Sequence, residues 1–168
     1  MAPRKTPETE VEEPAAAGQG AHAPLDQSAL RHVLGHHISV ADVPSKKLYF
    51  RHIGEPLGLR PVEFSLLVLV QANRDVTQKQ LANALALSPP NLTLLLDKLV
   101  ERDLILRERS AADRRVQHVR LTRDGAATAR KALASSHEME REWSRQLSEA
   151  EKAMLIELLQ KVGRLRRA

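Results

Sequence analysis

Two helix-start signals in close succession constrain this chain most, because they predict two short helices joined by a tight turn. Thr77 and Gln80 form a capping box, in which each side chain can bond the other residue's backbone N–H. Ser88 is a favourable N-cap residue, and Pro89 and Pro90 suit a first helical turn, where a missing N–H costs little. The turn between the two helices is expected at residues 85–87.

The second of these helices has one apolar face, because its leucines repeat at the spacing of helical turns. They are Leu92, Leu95, Leu96 and Leu99. The helix is expected to end near Arg102. Upstream, the almost wholly apolar run from Phe64 to Val70 fits either a buried strand or a buried helix. Pro61 at a first helical position and Glu63 in the first turn favour a helix reaching Asn73.

A charged hairpin is predicted directly after the second helix. The segments Leu104 to Arg109 and Val116 to Leu121 alternate with a period of two, and an exposed, charged tip is expected between them at Ser110 to Asp113. The chain has a net charge of +5, and six arginines lie between residues 104 and 123 against two acidic residues. Positive charge is therefore concentrated on the hairpin, which must pack on neighbouring helices to be stable.

A capped helix, a short turn, a second capped helix and a basic hairpin, in that order, are typical of a winged helix-turn-helix. Such a helix fits the major groove of DNA, and a basic hairpin tip can reach the minor groove. The alternatives are a plain helical core with an incidental hairpin, and a helical interaction protein whose winged domain contacts protein. The predicted fold is mainly α with a small β-wing.

The helical wheel separates the predicted DNA contacts from the core. Asn91 can read adenine or bind phosphate, and Thr93 and Leu94 can touch thymine methyl groups. Arg114 is expected at the wing tip in the minor groove. The remaining predicted contacts are Ser88 and Pro90 in the major groove, and Lys98, Arg107, Arg109 and Arg115 on the DNA backbone.

The stretch from Pro61 to Gly125 resembles the MarR family of bacterial transcription regulators. The resemblance is carried by the text QKQLANALALSPPNLTLLLDKLVERDLILRERSAADRRVQHVRLTRDG. Its most specific parts are the wing tip Asp113-Arg114-Arg115 and the LTRDG that opens the next helix. The resemblance implies a triangular homodimer that binds a pseudo-palindromic operator. It further implies repression of nearby genes until a small anionic or phenolic ligand binds.

Two positions depart from the family pattern. Leu94 stands where many members carry a polar or basic base-reading residue, which shifts the expected readout toward methyl contact and DNA shape. Arg60 precedes Pro61 where the family often has a Thr or Ser cap, a change expected to affect stability alone.

The flanking segments divide the chain into four expected parts: a disordered tail at 1–25, N-terminal dimerisation and ligand-pocket helices at 26–59, the winged domain at 60–123, and C-terminal dimerisation helices at 124–168. Two N-terminal helices are expected, Ser28 to Val40 and Lys46 to Glu55, with Pro44 interrupting them. Thr122 can cap a helix reaching about Gln146. Apolar stripes on the end helices exceed what a small winged domain can cover, which independently favours a dimer. These stripes hold Leu30, Val33 and Leu34 in the first helix, and Leu155, Leu158, Leu159, Val162 and Leu165 in the last.

A basic, histidine-bearing patch precedes the winged domain and is the candidate effector site, for an aromatic acid or an acyl-CoA thioester. Its residues are His36, His37, Lys46, Tyr49, Arg51 and His52. A solvated helix face is the alternative interpretation. A metal is not expected here, because adjacent helical residues such as His36 and His37 diverge by about 100°.

Composition excludes several other classes of protein. With no cysteine, the chain has no disulfide, Cys-based zinc finger or iron–sulfur site. Aromatic residues are 2%, which disfavours a base-stacking platform. No apolar run suits a membrane span or a secretory signal, so a cytoplasmic location is expected. No nucleophile elbow, HExxH or phosphate loop indicates an enzyme, and no cofactor is predicted.

The wing assignment predicts that Arg114→Ala weakens operator binding by about 1–3 kcal/mol, because a minor-groove cation is lost. Gel shifts with the DNA upstream of its own gene would measure the loss. An unchanged melting temperature would show that the variant is folded. Undiminished affinity would contradict the assignment.

Overall fold

The computed structural model describes residues 24–109 and 117–164, most of which form helices, and several of these helices pack against a small sheet. The elements are a 3₁₀ turn at Ser28–Leu30, α1 (Leu34–Tyr49), a π-helical turn (Phe50–Gly54), α2 (Glu55–Leu57), α3 (Pro61–Ala72), β1 (Val76–Thr77), α4 (Gln78–Leu85), α5 (Pro89–Glu101), β2 (Ile105–Arg109), β3 (Gln117–Leu121), α6 (Arg123–Trp143) and α7 (Glu149–Arg164). None of the helices in these described ranges has the length and apolar content needed to cross a membrane.

The sheet confirms the predicted hairpin and adds a third strand. Its order is β1-β3-β2, all antiparallel, and Arg109 pairs with Gln117 at the end of the hairpin nearest the tip. The two-residue strand β1, which places Val76 beside Val119, was not predicted because it is too short to show alternation. The hairpin tip, Arg114, Arg115 and Val116 lie outside the described residues, as do Leu165 and residues 1–23 of the expected tail.

The core lies where α3, α4 and α5 meet the sheet and α6. The predicted apolar face of α5 is confirmed, since its four leucines are all buried. They pack in one cluster with Leu66 and Leu67 of α3, Leu81 of α4 and Ile105 of β2. Burying this face fixes the opposite face of α5 outward.

Helix caps follow the sequence closely, with one exception. The Thr77 hydroxyl accepts the Gln80 N–H at 3.2 Å, and the Gln80 side chain accepts the Thr77 N–H at 2.8 Å. Thr122 caps α6 through the Gly125 N–H at 2.9 Å. Ser88 occupies the N-cap position of α5 but makes no side-chain cap bond. One of its two usual donors is missing, because Pro90 at the second helical position has no N–H.

The predicted break at Pro44 is wrong, because α1 runs through it from Leu34 to Tyr49. A proline inside a helix removes one backbone hydrogen bond, and the bonds on either side continue the helix. The expected first helix is also displaced, since only a 3₁₀ turn forms at Ser28–Leu30. The chain leaves the helical path at Gly58, whose φ of 59° lies in the left-handed region.

The end helices expose apolar side chains. On α7, the residues Met154, Leu155, Ile156, Leu158 and Leu159 are each 45–55% exposed. On α1, the residues Leu34, Val40 and Val43 are exposed to a similar extent. Neighbouring exposed apolar residues of this kind mark an interaction surface.

Gly125 allows α6 to pack closely against the backbone of Leu104, the residue directly before β2. A Cβ at this position would lie 1.8 Å from the backbone oxygen of Leu104. We therefore predict that Gly125→Ala lowers the free energy of unfolding by about 3 kcal/mol, since backbone must move to relieve the overlap. Denaturant unfolding would measure it.

Gly35 provides the matched control, because a Cβ there would meet nothing within 4 Å. Gly35→Ala should leave stability unchanged or raise it slightly. Equal effects of the two substitutions would contradict the close-approach argument.

Candidate nucleic-acid interface

The outward face of α5 is the candidate reading surface. A turn at Ala86, in the left-handed conformation at φ 56°, joins α4 to α5, and the Leu87 N–H bonds the Ala82 carbonyl at 2.9 Å. Six residues predicted to contact DNA are exposed together along α5 and its N-cap. They are Ser88, Pro90, Asn91, Thr93, Leu94 and Lys98.

Thr93 and Leu94 differ in what they offer to a partner. The Thr93 hydroxyl donates to the Pro89 carbonyl at 3.0 Å, so its proton is used within the helix. Leu94 is 61% exposed, unlike the buried leucines on the opposite face. The outer face of α5 around Thr93 and Leu94 is therefore mainly apolar, although it includes a threonine hydroxyl.

Arg107 contacts α5 itself. Its guanidinium donates to the Asp97 carboxylate at 2.6 Å and to the Thr93 carbonyl at 3.4 Å, and the side chain is three-quarters buried. The structure thus fastens β2 to α5 through this pair. The sequence predicted that Arg107 contacts the DNA backbone, and it did not predict the contact with Asp97. That contact joins residues ten positions apart on different elements, so no local pattern indicates it.

The other wing cations are arranged differently. Arg109 is exposed at the end of β2, next to the hairpin tip. Arg120, on β3, bridges Glu108 at 2.7 Å and Asp75 at 3.1 Å, so its charge is offset by two carboxylates. Arg114 and Arg115 lie outside the described residues, and their predicted contacts stay predictions.

The basic patch of the N-terminal region does not form one cluster. Tyr49 is buried and donates its hydroxyl to the Leu59 carbonyl at 3.0 Å, and burial raises the pKa of the Tyr49 hydroxyl so that it remains protonated. Lys46 pairs with Asp42 at 2.5 Å. The His37 ring lies 3.1 Å from the Arg31 carbonyl, and its centroid is 5.4 Å from that of His36.

Arg51 and His52 converge on one carboxylate from α6. His52 Nε2 lies 2.6 Å from Glu142 Oε1, and Arg51 Nη2 donates to Glu142 Oε2. The hydrogen bond from His52, supported by that from Arg51, lowers the pKa of the Glu142 carboxyl. The π-helical turn carries both Arg51 and His52, and consecutive residues of an α-helix diverge too far to favour such convergence.

Glu142 was missed from sequence because 90 residues separate it from His52 and no local pattern links them. The three side chains, Arg51, His52 and Glu142, are called the carboxylate clamp below. Within residues 24–109 and 117–164, no group of three potential metal ligands comes together.

Comparison with known proteins decides the family. The MarR family model matches residues 59–116. The HTH-type transcriptional regulator MhqR of Bacillus subtilis (strain 168) is 31% identical over 106 residues, covering 63% of this chain and 73% of that protein. The chain belongs to the MarR family. Its predicted identity as a DNA-binding transcriptional regulator with a winged helix-turn-helix is thereby confirmed.

Solved MarR-family structures share the fold over most of their length. The transcriptional repressor CouR bound to a 23-mer DNA duplex superposes with a TM-score of 0.77 at 29% identity, covering 84% of this chain and 100% of that one. CouR bound to p-coumaroyl-CoA gives a TM-score of 0.73 at 27% identity, covering 84% and 99%.

The Asp97–Arg107 contact predicts coupled effects on this MarR-family chain. Asp97→Asn and Arg107→Gln should each lower the free energy of unfolding by about 0.5–1 kcal/mol, because either change removes the same partly exposed ion pair. The double variant should lose less than the two losses added together. Chemical denaturation of all four proteins measures the cycle.

Arg109→Gln is the control, since Arg109 is an exposed arginine on the same strand. Its stability should match that of the parent. Strictly additive losses for the Asp97 and Arg107 variants would contradict the positioning role.

Proposed function

We propose that this protein is a homodimeric repressor that a small aromatic, anionic effector releases from a pseudo-palindromic operator, acting on DNA in the cytoplasm. The observation that carries the proposal is the exposed outer face of α5 beside the arginine-bearing wing. A solved relative with the same fold, CouR, is a repressor bound to a DNA duplex. Family membership favours this function over a helical interaction protein whose winged domain contacts protein.

The uncovered apolar faces support the homodimer. Both α7 and the region of α1 expose large aliphatic side chains at their surfaces. A second copy buries such faces with closed symmetry. Two recognition helices related by a two-fold axis then match a pseudo-palindromic operator.

The carboxylate clamp supports an anionic effector. Arg51 is 59% exposed, and a guanidinium can bind a carboxylate or phosphate through two parallel hydrogen bonds. Glu142 shows that a carboxylate fits between Arg51 and His52. An effector bound here would exchange that contact for its own, and would thereby change how α6 is held against the π-helical turn.

Three measurements on the full chain test the proposal. Light scattering should give the mass of a dimer. Fluorescence anisotropy with DNA upstream of its own gene should show binding that weakens steeply with salt, because phosphate contacts release counterions. Aromatic acids and their CoA esters should then release the DNA. A monomer, or a chain that binds no DNA at low salt, would refute the proposal.

For the effector site, we predict that Arg51→Gln weakens binding of the releasing acid or ester about tenfold, since a charge-assisted contact is lost. DNA affinity without effector should be preserved, because the contact between His52 and Glu142 at 2.6 Å still holds the end of α6. Calorimetric titration measures the first quantity and anisotropy the second.

Arg141→Gln is the matched control, because Arg141 neighbours Glu142 on α6 but pairs with Glu138 at 2.8 Å. It should bind the effector as the parent does. Equal losses in both variants, or none in Arg51→Gln, would contradict the assignment of the clamp.

A further inference from the structure

The outer face of α5 has few hydrogen-bond donors left for DNA bases. Pro89 and Pro90 fill the first two helical positions, and neither has a backbone N–H. The Thr93 hydroxyl donates to the Pro89 carbonyl at 3.0 Å. The face therefore keeps the Asn91 amide as its central polar reader, with Ser88 and Lys98 nearer its two ends.

Asp97, the acidic residue of α5 nearest to Leu94, is also committed. A carboxylate can read cytosine by accepting from its amino group. Asp97, however, holds the Arg107 guanidinium at 2.6 Å. Neither Asp97 nor Arg107 is therefore presented to base edges as a free charged group, which removes one reader of cytosine and one reader of guanine.

Leu94 lies in the middle of this donor-poor face. It is 61% exposed, the largest exposure of any large apolar side chain described between α3 and β3. Asn91 precedes it by three residues and Lys98 follows it by four, so all three share one stripe of the helix. In the major groove, the apolar feature available to a leucine is the C5-methyl group of thymine.

We propose that Leu94 is a specificity-determining residue that contacts a thymine methyl group, and that the operator half-site therefore has A·T pairs beneath Leu94 and Asn91. Asn91 reads adenine through its amide. The two residues are separated by about 4.5 Å along the helix axis, close to the roughly 3.4 Å between successive base pairs. The inference rests on the proposed DNA-binding function and specifies what that surface reads.

The test begins with the full-length protein and a random duplex library, from which the preferred operator is selected. Each thymine of the half-site is then replaced in turn by deoxyuridine, which removes the methyl group and leaves base pairing unchanged. At one thymine, parental affinity should fall about fourfold, the value of one buried methyl group. In Leu94→Ala, the same replacement should change affinity by less than about 1.5-fold, because the contact is already lost.

Val100→Ala is the matched control, since Val100 is an exposed aliphatic residue of the same helix at 42%. It should show the same deoxyuridine effect as the parent. Melting temperatures establish that Leu94→Ala and Val100→Ala are folded, as expected for exposed side chains.

The outcomes separate this inference from the proposed function. Selection of a half-site without thymine, or an equal deoxyuridine effect in the parent and Leu94→Ala, would overturn the role of Leu94 while leaving sequence-specific binding intact. Failure to select any DNA would refute the proposed function and this inference together.

Discussion

Burial of one leucine face of α5 is the interaction on which the rest of the structure depends. Leu92, Leu96 and Leu99 are at most 2% exposed and contact a core shared with α3, α4 and the sheet. Such burial, at roughly 25 cal/mol per Å² of apolar surface, fixes the rotation of the helix about its own axis. The opposite face is therefore presented outward by the same force that stabilises the domain. The orientation of the candidate reading surface and the stability of the domain therefore depend on the same buried face of α5.

Around that helix, polar contacts set orientation more than stability. The Asp97–Arg107 pair is partly exposed, and pairs of this kind contribute about 1 kcal/mol or less. Its geometric effect is to hold the wing strand β2 against α5. The reciprocal bonds of Thr77 and Gln80 similarly fix where α4 begins, and hence where the turn before α5 falls.

Features with a local physical cause were predictable from the sequence. Capping residues, the period of the α5 leucines and the alternation of the hairpin each act within a few residues. The continuation of α1 through Pro44 was not predictable from the sequence. Helix propensities give the cost of a proline within a helix, and they do not describe the surrounding contacts that offset this cost. The carboxylate clamp was hidden for another reason, since Glu142 reaches Arg51 and His52 through the tertiary fold alone.

The long helix α6 joins two regions that have different tasks. Near its start, Gly125 brings it into direct contact with the backbone at Leu104, where the wing strand begins. Near its end, Glu142 is held by the π-helical turn. These points are about 25 Å apart along a straight helix, with closely packed backbone at one end and exchangeable polar bonds at the other. One helix therefore connects the two regions, and the contacts at its two ends together fix its direction relative to both the wing strand and the π-helical turn.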